Sequence, residues 1–197
     1  IFDAGLKSAD VSKRTYAFQT LEQLFKNLLQ YVEENDHEGA VVEDAHSIVN
    51  PDLIQTMLHI VLENWENPSK RVSSLMSPLF ESILRYQRIV YYYSKCAGEG
   101  SDSSLRTFDM SKEQHMECIS KLFQRIINLP CERKAKYKAL EVLQKIVGGQ
   151  LIFDKYPKII KEVIHAVGAN FDVASLAAAF LAPFLKIFGP KMSARGP

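Results

Sequence analysis

The chain has 197 residues, of which 47% are apolar and 24% charged, and its 24 Lys+Arg and 23 Asp+Glu leave a formal net charge of +1. This composition is typical of a globular domain and excludes a collagen-like chain, long disorder and a uniformly basic nucleic-acid-binding tail. The 9 Gly and 8 Pro amount to about 9% of the residues, below the roughly 12% of average proteins. Few turn residues predict long secondary-structure elements.

The sequence carries no signal for a membrane or secretory location. No apolar run approaches the roughly 20 residues that span a bilayer, and no basic and then apolar leader opens the chain. Cys96, Cys118 and Cys131 are odd in number and lack CxxC spacing, which is typical of reduced thiols. We therefore expect a cytoplasmic protein without membrane contact, with the nucleus as the alternative location.

Apolar residues recur with helical spacing from the first element onwards. In the first helix, near 12–34, they form one stripe of Leu21, Leu24, Leu28, Leu29 and Val32. Asn-Pro pairs at 50–51 and 67–68 each place a capping residue before a proline at the first helical position. These pairs predict two further helices. Pro78 lies inside the second of them and should kink it or split it.

Four more helices are predicted after the Gly, Ser and Asp-rich loop at 98–104. Residues 111–114 form a capping box that starts the first of them, and Gly148-Gly149 ends the second. Pro183 should interrupt the last helix. No strand is predicted. The seven predicted helices begin near residues 12, 51, 68, 111, 131, 156 and 172.

The helices fall into pairs, near 51–94, 111–149 and 156–188, and the helix at 12–34 completes a preceding pair. Pairs of roughly 40 to 60 residues with short internal turns are typical of HEAT or armadillo-like α-solenoids. We therefore predict an all-α fold in which residues 1–197 form one helical-repeat segment of a longer array. A compact helical bundle is the alternative. Because the last helix is among the most apolar, its exposed side should meet another repeat or a partner.

Charge is distributed unevenly. Residues 1–98 carry a balance of −4 and residues 99–197 a balance of +5. Much of the acidic charge lies in one connection, which we interpret as a solvated loop, with a docking strip for a basic partner as the alternative. Its acidic residues are Glu33, Glu34, Asp36, Glu38, Glu43 and Asp44.

Basic side chains recur at helical spacing in the second half. Lys134, Lys138 and Lys145 fall on one stripe of the fifth helix, with Glu141 between them. If consecutive helices turn such stripes to one side, they form a positive ridge that can follow RNA phosphates. A solvated helix face is the alternative. The RNA-binding candidates are Lys121, Arg125, Arg133, Lys134, Lys138, Lys145, Lys158 and Lys161.

Aromatic residues suggest a protein-binding surface. Trp65, Tyr91 and Tyr92 are the candidates, because the two tyrosines point away from the face that Tyr86 and Tyr93 share. Packing between repeats is the alternative role for these rings.

The sequence offers little catalytic chemistry. His115 and Cys118 lie three residues apart, and His59 and Glu63 four apart, but neither pair has a second pair at ligand spacing. No P-loop, dinucleotide-binding or GxSxG motif occurs. We therefore predict no catalytic residue, no metal site and no small-molecule cofactor, and expect that the chain is not an enzyme.

One stretch resembles a known family. Glu63-Asn64-Trp65-Glu66-Asn67-Pro68-Ser69-Lys70-Arg71-Val72, running on to Leu79-Phe80-Glu81-Ser82-Ile83-Leu84, is similar to the Trp-Glu/Asp-x-Pro segment and following Phe-x-x-(Ile/Leu)-Leu helix of the THADA family of large helical-repeat proteins. The family includes the fungal partner of a tRNA ribose 2′-O-methyltransferase. The resemblance implies a non-catalytic scaffold that binds the methyltransferase subunit and helps present tRNA, with the basic ridge on the tRNA backbone.

Two functional hypotheses follow. The first is an α-solenoid adaptor in tRNA modification, with a protein partner and tRNA as ligands. The second is a scaffold for proteins alone, such as a transport receptor or a complex-assembly module, that uses its helix faces and the acidic connection and makes no RNA contact.

Overall fold

A computed structural model of the chain describes residues 2–34, 51–96, 112–169 and 171–193. All regular secondary structure in these ranges is α-helical, which confirms the predicted all-α class. The helices are α1 (Phe2–Leu6), α2 (Val11–Glu34), α3 (Pro51–Asn64), α4 (Lys70–Cys96), α5 (Lys112–Ile127), α6 (Lys134–Val147), α7 (Gly149–Lys155), α8 (Ile159–Ala169) and α9 (Phe171–Ser193).

The seven predicted helices correspond to α2 to α6, α8 and α9, and each begins within three residues of its predicted start. The sequence analysis missed α1 and α7, which have 5 and 7 residues. A helix of one or two turns is too short to show an apolar period, because the period needs several turns to repeat.

Short polar contacts set the helix ends. Asp10 caps α2, since its Oδ1 accepts hydrogen bonds from the backbone N–H of Ser12 at 2.8 Å and of Lys13 at 3.3 Å. Before α4, Asn67 Oδ1 accepts from the Ser69 N–H at 3.0 Å, so the predicted Asn-Pro start forms a turn that precedes the helix. Gly148 ends α6 with a φ of 90°, a conformation that side chains disfavour.

The two internal prolines do not divide their helices, so the predicted interruption by a split is wrong, while a kink at Pro78 stays a prediction. Pro78 lies inside the continuous α4, and Pro183 lies inside the continuous α9. Both prolines are exposed. Each removes one backbone donor, but the carbonyl that loses its partner can turn to water. Apolar residues on either side of each proline remain buried, and this burial holds the helix together.

The chain divides into two compact units, Ile1–Gln124 and Arg125–Pro197, and the boundary falls near the end of α5. In the first unit α4 packs against α2 and α3, and α1 packs against α2. The Phe25 and Tyr86 rings meet edge to face at 5.6 Å, and the Trp65 and Phe80 rings at 5.1 Å. Aromatic pairs of this geometry add to the stability supplied by apolar burial.

In the unit Arg125–Pro197, α9 packs against both α6 and α8, and α6 packs against α7. Its core contains Leu140 and Leu143 from α6, Val163 from α8 and Phe180 and Phe184 from α9, each at most 1% exposed. The α6–α7 corner is tight, because a Cβ added at Gly149 would lie 3.2 Å from Gln144 Nε2.

Candidate functional site

The two units carry opposite charge. By sequence, Ile1–Gln124 holds 12 Lys+Arg and 18 Asp+Glu, a balance of −6, whereas Arg125–Pro197 holds 12 and 5, a balance of +7. The charge division therefore follows the structural boundary more closely than it follows the midpoint of the chain. An excess of this size gives a unit a positive field that attracts polyanions.

One stripe of α6 concentrates the positive charge. At 100° per residue, Lys134, Lys138 and Lys145 lie within an arc of about 40°. The buried Leu140 and Leu143 of α6 lie on the opposite side of the helix. Lys134 and Lys145 are exposed, and Lys138 is partly exposed. The stripe thus faces solvent with its three ammonium groups.

The stripe also contains one carboxylate. Glu141 lies between the lysines and pairs with Lys145 at 2.9 Å between Oε1 and Nζ. Both side chains are more than 40% exposed, so the pair is screened by water and contributes little to stability. Lys145 can therefore exchange this partner for a phosphate at small cost.

Lys136 belongs to the same basic run but is buried, with only 2% of its side chain exposed. Its Nζ donates to the carbonyl oxygens of Ile127 at 2.9 Å and Leu129 at 3.0 Å. It also pairs with Glu162 Oε2 of α8 at 3.1 Å. All three ammonium protons thus have acceptors, and Lys136 ties the end of α5 to α8.

The half-buried Tyr156 joins this cluster by donating its hydroxyl hydrogen bond to Glu162 Oε1. Burial raises the pKa of Glu162, but the hydrogen bonds from Tyr156 and Lys136 outweigh burial and hold that pKa below its ordinary value. Burial, together with the same hydrogen bond, raises the pKa of Tyr156 to about 12. Glu162 is therefore ionised and Tyr156 neutral at physiological pH.

Four further RNA-binding candidates belong to this unit, beside the lysine stripe of α6. Lys158 and Lys161 are exposed, and Lys158 is near enough to Glu162 to help lower the pKa of its carboxyl. Arg125 is exposed on the last turn of α5, and the half-buried Arg133 is the residue before α6. The structure brings Lys134, Lys138 and Lys145 onto one face, and places Lys158 beside the Lys136–Glu162 pair.

Lys121 is the candidate that lies in the acidic unit. Its Nζ pairs with Glu117 Oε1 at 2.7 Å on the exposed side of α5. This hydrogen bond raises the pKa of Lys121 above its ordinary value. The side chain is in a setting similar to that of Lys145, but within a unit whose charge balance is negative.

Of the three aromatic candidates, the structure describes the side chain of Trp65 alone. Trp65 is 4% exposed and packs its ring on Phe80 in the core of its unit, so little of the ring is left for a partner. Tyr91 and Tyr92 belong to α4, and their side chains lie outside the described residues. Of the acidic connection, only the end of α2 is described, where Glu34 accepts a hydrogen bond from Gln30. Its remaining positions lie outside the described residues.

Possible metal ligands do not form a cluster in the described ranges. No three His, Cys, Asp or Glu residues come together there as metal ligands. His59 and Glu63 form an exposed pair at 3.1 Å on α3. Cys118 is buried, and burial raises the pKa of its thiol, which makes it a poor nucleophile.

Sequence reasoning missed a cleft of about 310 Å³ between α2 and α4. Two of its lining residues are cations, but Lys26 pairs with Glu22 at 2.9 Å and Arg85 pairs with Glu81 at 2.6 Å. The cleft therefore presents mixed charge and favours neither cations nor anions. The sequence alone could not predict this cleft, because its lining residues come from two helices that are far apart in the sequence. It is lined by Lys26, Leu29, Gln30, Pro78, Glu81, Ser82 and Arg85.

The comparisons with known proteins add no family to this description. No family model, no curated protein and no solved structure matches the chain. None of the described helices has the length and apolar character needed to cross a bilayer.

Proposed function

We propose that the chain is a non-catalytic helical scaffold that binds RNA through the unit Arg125–Pro197. The observation that supports this most directly is the solvent-facing stripe of Lys134, Lys138 and Lys145, in a unit with a charge balance of +7. Exposed lysines on a rigid helix contact phosphates in succession and release counterions as they do so.

Packing supports a HEAT or armadillo-like solenoid as the form of this scaffold. Within two of the three predicted pairs the helices pack together, α3 on α4 and α8 on α9. Between pairs, the second helices pack together within each unit: α2 on α4, and α6 on α9. Stacked second helices are what an array of helix pairs requires, since each pair buries its apolar face against the next. We infer that the chain is one stretch of such an array.

The resemblance of Trp65 and its neighbours to the THADA family extends the proposal to a specific role. In that role the scaffold is the partner of a tRNA ribose 2′-O-methyltransferase, works in the cytoplasm, and holds tRNA by its backbone while the other subunit carries the active site. The burial of Trp65 against Phe80 supports a structural use of this segment within the repeat.

Fluorescence anisotropy with labelled bulk tRNA tests the RNA contact. A variant with Lys134→Glu, Lys138→Glu and Lys145→Glu is expected to bind at least tenfold more weakly. The slope of log K against log salt should also decrease by roughly 3, at about 0.9 for each phosphate contact. The matched control reverses three exposed lysines of the acidic unit, Lys13, Lys26 and Lys70, and should bind as the wild type does.

Equal loss in both triple variants would mean that net charge alone drives binding, and wild-type affinity in the Lys134, Lys138 and Lys145 variant would refute the RNA proposal. Affinity capture with the methyltransferase subunit, insensitive to these substitutions, would support the protein contact separately.

A scaffold for proteins alone is the second candidate, and the exposed apolar residues of α8 and α9 favour it. Ile164, Val167, Phe171 and Leu185 are between 41% and 96% exposed. Surfaces of this kind mark protein contacts more often than RNA contacts. Capture of protein partners without RNA, unaffected by the lysine substitutions, would select this candidate.

A further inference from the structure

The cleft between α2 and α4 contains a buried hydroxyl group that the fold leaves without a hydrogen bond. Among the described residues, the buried hydroxyl side chains are those of Thr15, at 8% exposure, and Ser82, at 9%. Thr15 Oγ1 donates to the carbonyl oxygen of Val11 at 2.7 Å, as hydroxyl side chains inside helices commonly do. Ser82 has no hydrogen-bond partner in the described part of the chain, and it lines the cleft. Because a buried hydroxyl without a partner costs free energy, a ligand that pairs with Ser82 gains affinity.

Pro78 leaves a second polar group of the same helix face without its usual partner. It lines the cleft from inside α4 and has no backbone N–H. The carbonyl oxygen of Ser74, four residues earlier, therefore receives no hydrogen bond from position 78. At 100° per residue, Ser74, Pro78, Ser82 and Arg85 fall within an arc of about 80° of α4. This face thus offers an acceptor at Ser74 and a hydroxyl donor at Ser82.

The ion pair of Arg85 and Glu81 adds one charge of each sign to this face. It joins Arg85 Nη2 to Glu81 Oε1 at 2.6 Å, and the two side chains are 58% and 32% exposed. A guanidinium has five N–H donors and a carboxylate has two oxygens, so both members can make further hydrogen bonds. On the other wall, Lys26 of α2 is tied to Glu22 by a pair that is exposed on the lysine side and therefore weak. A molecule with both signs of charge can bind here without separating Arg85 from Glu81.

We propose that this cleft binds a free α-amino acid with an apolar side chain. The ligand carboxylate accepts hydrogen bonds from the Ser82 hydroxyl and the Arg85 guanidinium, and charge-assisted bonds of this kind are the strong ones. The ligand ammonium donates to the Glu81 carboxylate and to the Ser74 carbonyl oxygen. An anion alone would lie beside Glu81, and a cation alone beside Arg85, so the like charge disfavours both. The site belongs to the acidic unit and does not depend on the RNA contact.

The size and the apolar walls of the cleft suit such a ligand. Leu29 and Pro78 are its apolar lining residues and can pack against an aliphatic side chain. The volume of about 310 Å³ lies at the lower end of the range of ligand pockets, which favours a molecule smaller than a nucleotide or a drug. Because so small a ligand makes few contacts, its Kd should be about 1 mM.

Titration of the full chain with L-leucine, followed by ¹H–¹⁵N NMR in the absence of RNA, tests the proposal. Chemical shifts should change saturably up to about 20 mM ligand, with the Kd of about 1 mM given above. N-acetyl-L-leucine lacks the ammonium and L-leucinamide lacks the carboxylate, and each should bind at least tenfold more weakly. No saturable change with L-leucine would overturn the proposal, as would equal binding of the three compounds.

Three substitutions in α4 test where the ligand lies. Ser82→Ala should fold normally, because its hydroxyl has no partner to lose, and should raise the Kd for L-leucine about fivefold. Arg85→Gln should raise it at least tenfold. Ser73→Ala is the matched control, since its hydroxyl donates to the Lys70 carbonyl about 140° around the helix from Pro78; it should bind as the wild type does. Wild-type affinity in Ser82→Ala or Arg85→Gln would overturn the assignment to this cleft, as would an equal loss in Ser73→Ala.

Discussion

The most deeply buried polar side chain of each unit is hydrogen-bonded to a different degree. In Arg125–Pro197, the buried Lys136 ammonium has three acceptors, at 2.9, 3.0 and 3.1 Å. In Ile1–Gln124, the Gln87 side chain is 1% exposed, and neither of its amide atoms has a hydrogen-bond partner among the described residues. A fully satisfied charge can help to specify a fold, whereas an amide without a partner costs free energy.

The two units also differ in the charge of their surfaces. The unit with the Lys136–Glu162 ion pair also carries the excess of lysines, and most of those whose burial is described are exposed. Lys136 and Lys134 are two residues apart, yet one joins helices and the other faces water. Substitution of each lysine should therefore distinguish a lysine that stabilises the fold from one that only carries surface charge.

The largest expected effect is that of Lys136→Met. This change leaves Glu162 and the carbonyls of Ile127 and Leu129 without their cation, so the free energy of unfolding should fall by about 3 kcal/mol. Urea unfolding followed by circular dichroism measures it. Lys134→Met on the exposed side of α6 is the control and should change stability by less than about 0.5 kcal/mol. Equal effects of the two substitutions would contradict the buried network.

Gly148→Ala is expected to destabilise the protein by about 1 to 2 kcal/mol, because Gly148 has a φ of 90° that alanine rarely adopts. Gly168→Ala is the matched control. A Cβ at Gly168, inside α8, would have no atom within 4 Å, so this change should be neutral or stabilise by up to about 1 kcal/mol. Thermal unfolding of both variants checks the difference in sign.

Glu162→Gln should show the contribution of the carboxylate and its pH dependence. Because the folded pKa of Glu162 is lowered, ionisation stabilises the fold fully above the ordinary pKa of a glutamate and progressively less as pH falls through the folded pKa. The carboxylate is 30% exposed, so solvent screening limits the loss at pH 7 to about 1 kcal/mol. The difference between wild type and variant should shrink below a pH of about 4; a constant difference would show that ionisation is not its source.

The smallest effect is expected from Gln87→Met in the acidic unit. The substitution removes two buried polar atoms without partners among the described residues and keeps a side chain of similar length. It should leave stability unchanged or raise it by up to about 1 kcal/mol. Gln124→Met, at an exposed position of α5, is the control. A loss above about 1 kcal/mol at Gln87 would show that its amide is paired after all.

The sequence by itself determined the helical class, the positions of seven helices and the lysine stripe of α6. These features depend on spacing within one element, and a helical period is visible without knowledge of any neighbour. Helical spacing could not predict the two short helices α1 and α7. It also could not predict that α4 and α9 continue through Pro78 and Pro183. Burial of the apolar residues on either side of each proline decides that continuity.

Only the tertiary structure decided which members of a sequence cluster are buried. Lys136 became a core residue because its acceptors lie 7, 9 and 26 residues away, at Leu129, Ile127 and Glu162. Trp65 became a core ring because Phe80 packs on it, and the face of α9 remained open because its neighbours α6 and α8 cover only the opposite side. Local sequence sets which face a helix can present, but burial depends on residues that folding brings from elsewhere in the chain.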